Sequence, residues 1–298
     1  MNWTSDIEVV VLDMDGTLYQ DQTFMRRYLS YLLEGTDRHA DESELYEQVE
    51  RILGGSHACK IGYFYDPLHR LILRHRQGEV IAAISLEGGD ADEEKRIGLY
   101  GANKRDMSDC MYIGDGWGTI GFMAHYLGIE PAKRTEAFLR VREEMVSDKL
   151  GFTRHIALLT AVKRLKSKGY RTLLMTNSPE RSSREFVAYM GMEGEFDEVL
   201  FNASKPTGLL NRLQRMIEEE GVRPETVVSV GDHAWNDLYP VKKLGGRTIW
   251  ISPYDSYDEE RWDARMSDPD ELADFLDRLP DKSLFINSNS NSNKGASI

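Results

Sequence analysis

The sequence predicts an α/β fold: a Rossmann-like, three-layer core around a parallel sheet, with an α+β domain inserted into it. Short apolar runs alternate with amphipathic helical patterns along much of the chain, and polar residues follow the runs at their carboxyl ends. A long segment after the first run breaks this alternation. Alternating strands and helices of this length are typical of a doubly wound sheet, in which ligands bind at the carboxyl ends of the strands.

The first predicted strand, Glu8–Leu12, reads EVVVL, a short β-branched run typical of a strand that is buried on both faces. Four later runs have the same character: Thr172–Met175, Glu198–Phe201, Thr226–Val230 and Thr248–Ile251. Between them, His155–Lys168 and Leu209–Glu220 repeat apolar residues at helical spacing. We therefore assign residues 1–19 and 151–279 to one core domain.

Residues 20–150, here called the insert, are predicted to form a second domain within the first. Three stretches have helical patterns, and three look like strands separated by turn signals such as Asp66-Pro67 and Gln77-Gly78. The predicted elements are helices Asp21–Glu34, Asp41–Leu53 and Ala132–Val146, strands Ile61–Tyr65, Arg70–Arg74 and Glu79–Leu86, and a charged loop, Glu87–Arg96. Residues 280–298 end in NSNSNSNKGASI, which is too poor in apolar residues to offset its ordering entropy, so we predict a disordered tail.

Composition limits the partners that can be expected. The 298-residue chain is 41% hydrophobic and 29% charged, with a net charge of −13, so we expect no nucleic acid and no anionic membrane as partner. No apolar run reaches the roughly 18 residues of a membrane span, and the start of the chain does not look like a signal peptide. The two cysteines lie outside any CxxC pair, as is usual in a reducing compartment. We expect a cytoplasmic protein, and the sequence does not indicate its oligomeric state.

Each core strand is followed by side chains that could carry chemistry. They are Asp13 and Asp15 after the first strand, Thr176 and Asn177 after the second, Lys205 near the third, and Asp232 and Asp237 after the fourth. Because the carboxyl ends of parallel strands meet at one edge, these residues should surround a single crevice. Carboxylates packed so closely repel each other in a low dielectric. A Mg²⁺ ion, which prefers carboxylate, carbonyl and water oxygens, would relieve that repulsion and let a phosphate dianion approach.

The same residues resemble the four motifs of the haloacid dehalogenase superfamily. LDMDGTLY is similar to the first motif, LMTNS to the second, ASKP to the third and VGDHAWND to the fourth, in order, over residues 7–19 and 151–252. The resemblance implies a phosphatase-like hydrolase with a Rossmann-like core and a cap domain inserted after the first motif. Caps at that point are usually helical bundles in the family, whereas strands are predicted in the insert.

The resemblance also implies the catalytic roles. Asp13 would be the nucleophile that forms an aspartyl-phosphate, and Lys205 would orient it and balance charge. Asp15 would protonate the leaving oxygen and then activate water. Family members that cleave carbon–halogen bonds lack a carboxylate at the position of Asp15, so its presence favours phosphoryl transfer over dehalogenation.

The remaining matching residues would bind phosphate and metal. Thr176, Lys205 and the backbone N–H of Asn177 would hold the phosphoryl oxygens. Mg²⁺ would be bound by Asp13, the backbone carbonyl of Asp15 and Asp232, with Asp237 as a further or water-mediated ligand.

The predicted function is hydrolysis of a small phosphate monoester of the nucleotide or sugar phosphate class, with Mg²⁺ as cofactor. A phosphotransferase or phosphomutase would use the same aspartyl-phosphate, and a binding or regulatory protein could keep the fold without catalysis. Neighbouring features receive structural interpretations. Ser178 is predicted to cap the following helix, and His233 to lie at the surface of a loop. Gly114–Gly118 could be a substrate loop, but a tight turn with Trp117 as a packing residue is favoured.

Overall fold

A computed structural model describes residues 3–86, 89, 93–101, 107–147, 150 and 152–283, with the backbone alone for 93–95. Most of the predicted tail, from residue 284 on, lies outside the described residues, as do residues 87, 88 and 90–92 of the predicted loop Glu87–Arg96. The first residues of the tail segment are held to the core, because Lys282 donates its backbone N–H to the carbonyl of Lys168 at 2.8 Å.

The chain begins with a core strand and then enters the insert. These elements are β1 (Val9–Leu12), α1 (Thr23–Leu33), α2 (Glu42–Leu53), β2 (Phe64–Asp66), β3 (Leu71–Arg76), β4 (Glu79–Ser85), α3 (Glu93–Tyr100), β5 (Met111–Tyr112), α4 (Gly116–Tyr126) and α5 (Pro131–Met145). The rest of the core follows: α6 (Ile156–Ser167), β6 (Arg171–Met175), α7 (Glu180–Tyr189), β7 (Glu198–Leu200), α8 (Thr207–Glu220), β8 (Val227–Gly231), α9 (Ala234–Asp237), α10 (Tyr239–Leu244), β9 (Arg247–Ile251), β10 (Ala264–Met266) and α11 (Pro269–Arg278).

Within the described residues, six strands form a parallel sheet in the order β10-β9-β8-β1-β6-β7, and β10 adds a strand that the sequence did not indicate. The strand β1 lies between β6 and β8, with Leu12 opposite Leu174 and Val230. Successive side chains of a strand point to opposite faces. Accordingly, Val10 and Leu12 belong to the apolar cluster that includes α6 and α11, while Val9 and Val11 join α8 and α10. The predicted α/β, three-layer fold is confirmed.

The insert contains an antiparallel sheet, in the order β4-β3-β2-β5 among the described residues, together with helices. The predicted α+β character is therefore correct, but two details are wrong. The predicted loop Glu87–Arg96 runs into α3, which begins at Glu93, and the predicted turn at Gly114–Gly118 is the start of α4. Glycines disfavour helices, yet α4 forms because Ile120, Phe122 and neighbouring side chains are buried, so tertiary packing outweighs propensity.

One contact between the insert and the core is made by the loop that follows β9. The Tyr112 hydroxyl donates to Asp258 at 2.9 Å, and the backbone N–H of Tyr257 donates to the Ile61 carbonyl at 2.8 Å. A Cβ on Gly62, which has φ +94°, would lie 2.6 Å from the backbone nitrogen of Asp258. The two backbones approach so closely here that only glycine can occupy position 62 without strain.

Among the helices of the described residues, none combines the length and the apolar character needed to cross a membrane.

Candidate active site

The predicted residues at the carboxyl ends of β1, β6 and β8 come together in one site. Lys205 lies in the loop before α8, and its Nζ donates to Asp13 Oδ1 and to Asp237 Oδ1, both at 2.6 Å. Its backbone is held by Asn177, which accepts from Lys205 N at 2.7 Å and donates to Lys205 O at 3.0 Å. The side chain of Asn177 therefore positions the lysine, a role that the motif pattern did not indicate.

Three carboxylates stand where a cation could be bound. One oxygen each of Asp13, Asp232 and Asp237 lies within 4.8 Å of the others. Asp232 is 7% exposed, and its Oδ1 has no hydrogen-bond partner among the described residues, which is costly for a buried carboxylate. Gly16 leaves room for Asp232, because a Cβ there would lie 1.8 Å from its Oδ2. This donor set, all oxygen and negatively charged, suits a hard cation such as Mg²⁺.

Asp15 is surrounded by hydrogen-bond donors. Its Oδ1 accepts from the Tyr19 hydroxyl at 2.5 Å and from Arg142 Nη1, and its Oδ2 accepts from Ser178 Oγ at 2.7 Å and from Thr176 Oγ1 at 3.2 Å. The sequence did not indicate Tyr19 or Arg142. The predicted helix cap at Ser178 is wrong, because its hydroxyl binds Asp15 and the helix that follows has no side-chain cap.

The pKa values follow from burial and from this distribution of charge. Burial raises the pKa of Asp13 to about 8 against the opposing charge of Lys205, and Asp237 and Asp15 add to the rise. The pKa of Asp232 is raised well above its ordinary range by burial and by the charges of nearby carboxylates. Burial would also raise the pKa of Asp15, but the charge of Arg142 and hydrogen bonds from Tyr19 and Ser178 outweigh it, so this pKa is lowered. The two ends of the site therefore differ: the end with Asp232 has excess negative charge, and Asp15 is neutralised by Arg142.

A cavity of about 280 Å³ connects these groups. The core contributes Asp13, Asp15 and Lys205, among others, and the insert contributes Trp117 and Phe138, whose ring centroids are 5.3 Å apart. The remaining lining residues are Asp115, Gly118, Thr176, Asn177, Ser178, Pro179, His233, Asn236 and Asp237. The start of α4 is therefore part of the site wall, where the sequence favoured an ordinary turn.

Two of these wall residues are fixed at helix starts. The Asp115 side chain accepts from the backbone N–H of Gly118 at 2.5 Å and caps α4. His233 accepts from the backbone N–H of Asn236 through Nδ1 at 3.3 Å, and its ring packs against Tyr112, with centroids 5.0 Å apart. The predicted surface histidine thus lies at the cavity, between the core and the insert.

Comparison with known proteins identifies the family. The model of the haloacid dehalogenase-like hydrolases matches residues 7–245 of the chain. The chain belongs to this family. As a member it is similar to the glyceraldehyde 3-phosphate phosphatase of Pyrococcus furiosus, with 27% identity over 100 residues. That alignment covers 32% of this chain and only 40% of the relative.

Solved structures of hydrolases are also similar to this family member. One is a predicted phosphoglycolate phosphatase from Haemophilus somnus, with 15% identity, coverage of 91% of this chain and 97% of that chain, and a TM-score of 0.48. Another is a haloacid dehalogenase-type hydrolase from Bacillus subtilis in a magnesium-bound crystal form, with 12% identity, coverage of 91% and 98%, and a TM-score of 0.49.

Proposed function

We propose that this protein is a Mg²⁺-dependent phosphatase that hydrolyses a small phosphate monoester through an aspartyl-phosphate on Asp13. One observation carries the proposal. Two buried carboxylates open into the same cavity: Asp13, which Lys205 holds beside two further carboxylates that could bind a cation, and Asp15, which accepts hydrogen bonds from hydroxyl groups. The charge of a bound cation would lower the pKa of Asp13 and keep it ionised as a nucleophile, and Asp15 is the neighbouring carboxylate that could exchange a proton with the substrate.

The reaction would proceed in two steps. The pKa of Asp15 is lowered in the free protein, and the negative charge of a bound phosphate would raise it and favour a protonated carboxyl group. A carboxylate oxygen of Asp13 would then attack phosphorus, the bond from phosphorus to the leaving oxygen would break, and Asp15 would give its proton to that oxygen. Asp15 then takes a proton from water, whose oxygen attacks the aspartyl-phosphate and releases inorganic phosphate and the Asp13 carboxylate. Splitting the hydrolysis in this way replaces one difficult step with two easier ones.

The other residues would bind and balance charge. Lys205 holds Asp13 in position, and Thr176 and the backbone N–H of Asn177 would receive the phosphoryl oxygens. Asp13, Asp232 and Asp237, with the backbone carbonyl of Asp15, would hold Mg²⁺. When bound, the ion would neutralise the carboxylates and stabilise the negative charge of the phosphoryl group.

The size of the cavity favours a small substrate. Its volume of about 280 Å³ lies just below the range of typical ligand pockets, about 300–1,000 Å³. A sugar phosphate or a small nucleotide would fill it, and the similar protein from Pyrococcus furiosus is named for a triose phosphate. Trp117 and Phe138 give part of the wall an apolar surface against which the leaving group would pack.

The test is a screen of phosphorylated metabolites that measures released phosphate with Mg²⁺ and with EDTA. We expect activity on small monoesters in Mg²⁺, none in EDTA, and none for Asp13→Asn, whose amide is a poor nucleophile of nearly the same shape. Asp6→Asn, at an exposed position, is the matched control and should behave like wild type. Turnover by Asp13→Asn at a rate near that of wild type would refute the nucleophile assignment.

A further inference from the structure

Asp115 brings a carboxylate from the insert to the cavity. It stands at the start of α4, and its Oδ1 accepts from the backbone N–H of Gly118 at 2.5 Å, which caps the helix. Its other oxygen, Oδ2, has no hydrogen-bond partner among the described residues, and the side chain lines the cavity. This carboxylate can therefore accept a hydrogen bond from a bound molecule without losing its contact with the helix.

A hydrogen-bond donor of the core lines the same cavity. Nδ1 of His233 accepts from the backbone N–H of Asn236 at 3.3 Å, so the neutral ring carries its proton on Nε2. The ring packs against Tyr112 and leaves no room for a side chain at Gly114, where a Cβ would lie 2.7 Å from the imidazole. Asp115 and His233 thus offer an acceptor and a donor to the cavity. A hydroxyl group, which both donates and accepts, can use both.

The charges of the cavity wall restrict the leaving group further. Among the described lining residues, Lys205 is the only lysine or arginine, and its ammonium already bonds two carboxylates. Burial raises the pKa of Asp115, while the charge of His233 and the hydrogen bond from Gly118 oppose the rise. A bound cation would oppose it further and favour the ionised carboxylate. A second anionic group on the leaving group would be repelled by this carboxylate.

We propose that Asp115 is a specificity-determining residue, whose Oδ2 accepts a hydrogen bond from a hydroxyl group of the leaving group. The preferred substrates are uncharged polyols that carry one phosphate, such as a sugar or glycerol monophosphate, and esters with a second anionic group are poor substrates. The inference rests on the proposed phosphatase function and deepens it. A site that hydrogen-bonds a substrate hydroxyl discriminates against the analogue that lacks it, whereas a carboxylate that only capped α4 would not.

The experiment compares alkyl phosphates that share one carbon skeleton. Glycerol 3-phosphate carries further hydroxyl groups, propyl phosphate carries none, and 3-phosphoglycerate carries a hydroxyl group and a carboxylate. The full-length protein is assayed with Mg²⁺ by the release of phosphate, and the measured quantity is the ratio of kcat/KM between two esters. Comparing this ratio between wild type and a variant removes the intrinsic reactivity of the esters and isolates the contribution of the side chain.

Asp115→Asn removes the charge and keeps an oxygen for the helix cap, because asparagine caps helices about as well as aspartate. We expect the preference for glycerol 3-phosphate over propyl phosphate to fall by about tenfold to a hundredfold, as for the loss of a hydrogen bond to a charged group. The kcat/KM on 3-phosphoglycerate should rise relative to propyl phosphate, because the repelling charge is gone. Asp115→Ser, whose shorter side chain also caps helices, should change both ratios in the same directions.

Asp268→Asn is the matched control. Asp268 is exposed and caps α11, where its Oδ1 accepts from the backbone N–H of Glu271 at 3.0 Å. The substitution therefore changes the same kind of helix cap outside the cavity, and both ratios should coincide with those of wild type. Thermal melting shows whether each variant is folded, and either Asp115 variant serves alone if the other is not.

The outcomes separate the two proposals. Wild-type ratios in the Asp115 variants, or equal losses on every ester, would mean that Asp115 serves only the cap of α4, and the inference would fall while the phosphatase function stood. It would fall in the same way if the wild-type protein cleaved an aryl phosphate but did not prefer glycerol 3-phosphate to propyl phosphate. If the wild-type protein released phosphate from no ester, the proposed function would fall and this inference with it.

Discussion

We expect His75 to make the stability of the protein depend on pH. It lies on β3, is 1% exposed, and packs against Phe64 of the insert and Trp235 of the core, with ring centroids 4.8 and 5.9 Å away. Its Nδ1 accepts from the backbone N–H of Gly78 at 3.2 Å, and its Nε2 lies 3.0 Å from the carbonyl oxygen of Gly62. The neutral ring with its proton on Nε2 satisfies both contacts. A second proton on Nδ1 would face the N–H of Gly78.

The magnitude follows from the pKa. Burial lowers the pKa of His75 from 6.5 to about 4, against small opposing effects of the Gly62 carbonyl, Glu260 and Glu259. The unfolded chain binds a proton on this imidazole near pH 6.5, whereas the folded protein does so only near pH 4. The contribution of His75 to the free energy of unfolding is therefore fully present above pH 6.5 and is lost as the pH falls from 6.5 towards 4. At about 1.4 kcal/mol for each pKa unit, this group alone should lower the free energy of unfolding by about 3 kcal/mol between pH 7 and pH 4.

The assay is urea unfolding at several pH values, for wild type and for His75→Gln, which cannot gain a proton but can still donate and accept. Carboxylates titrate in both proteins, so the difference between the two curves isolates the imidazole. We expect wild type to lose about 3 kcal/mol more than the variant between pH 7 and pH 4. His39→Gln, at an exposed position, controls for the loss of an imidazole and should run parallel to wild type. Equal losses in wild type and His75→Gln would refute the reasoning.

Two further predictions concern the metal and the interface. Mg²⁺ at a hundred times its Kd should raise the free energy of unfolding by about 2.7 kcal/mol. Asp232→Asn should remove more of this gain than Asp237→Asn. The reason is that both carboxylate oxygens of Asp237 already accept hydrogen bonds, one from Lys205 and one from a backbone N–H. In urea unfolding, Gly62→Ala should be less stable than Gly128→Ala by about 1–3 kcal/mol. Both substitutions place alanine in the left-handed backbone region, so they share that strain. Only the Cβ at position 62 would also clash with neighbouring atoms, because nothing lies within 4 Å of a Cβ at Gly128. Equal effects of the paired variants would contradict either prediction.

The core could be predicted from the sequence because its constraints are local. A strand buried on both faces shows itself as a run such as VVVL, and a helix that packs on one face shows a period near 3.6. Because the carboxyl ends of parallel strands share one edge of the sheet, the contact between Asp13 and Lys205 could be predicted although the two residues are 192 positions apart. β10 was missed because it is a three-residue edge strand with the sequence Ala-Arg-Met, which has no such pattern.

The wall of the site could not be predicted in the same way. Arg142 stands among charged residues on a helix that reads as solvated, and Trp117 stands between glycines that argue against any helix. Their roles depend on how α4 and α5 dock against the core. Ala137, Val141 and Met145 mark the buried side of α5, but their spacing does not show that a charged residue beside them reaches Asp15. The role of Ser178 was mispredicted for a similar reason. A serine before a proline suits a helix cap, and only the folded structure shows that its hydroxyl donates to Asp15.

The charges around the candidate site come from the insert as well as from the core. In the core, Lys205 contacts Asp13 and Asp237, and Asp232 keeps an oxygen without a partner among the described residues. The core thus supplies one ammonium to several carboxylates, and its excess negative charge suits a divalent cation at one end. Asp15, at the other end, receives its positive charge from Arg142 of the insert. A core without the insert would hold Asp15 by hydroxyl groups alone and would lack the positive charge that lowers the pKa of its carboxyl group.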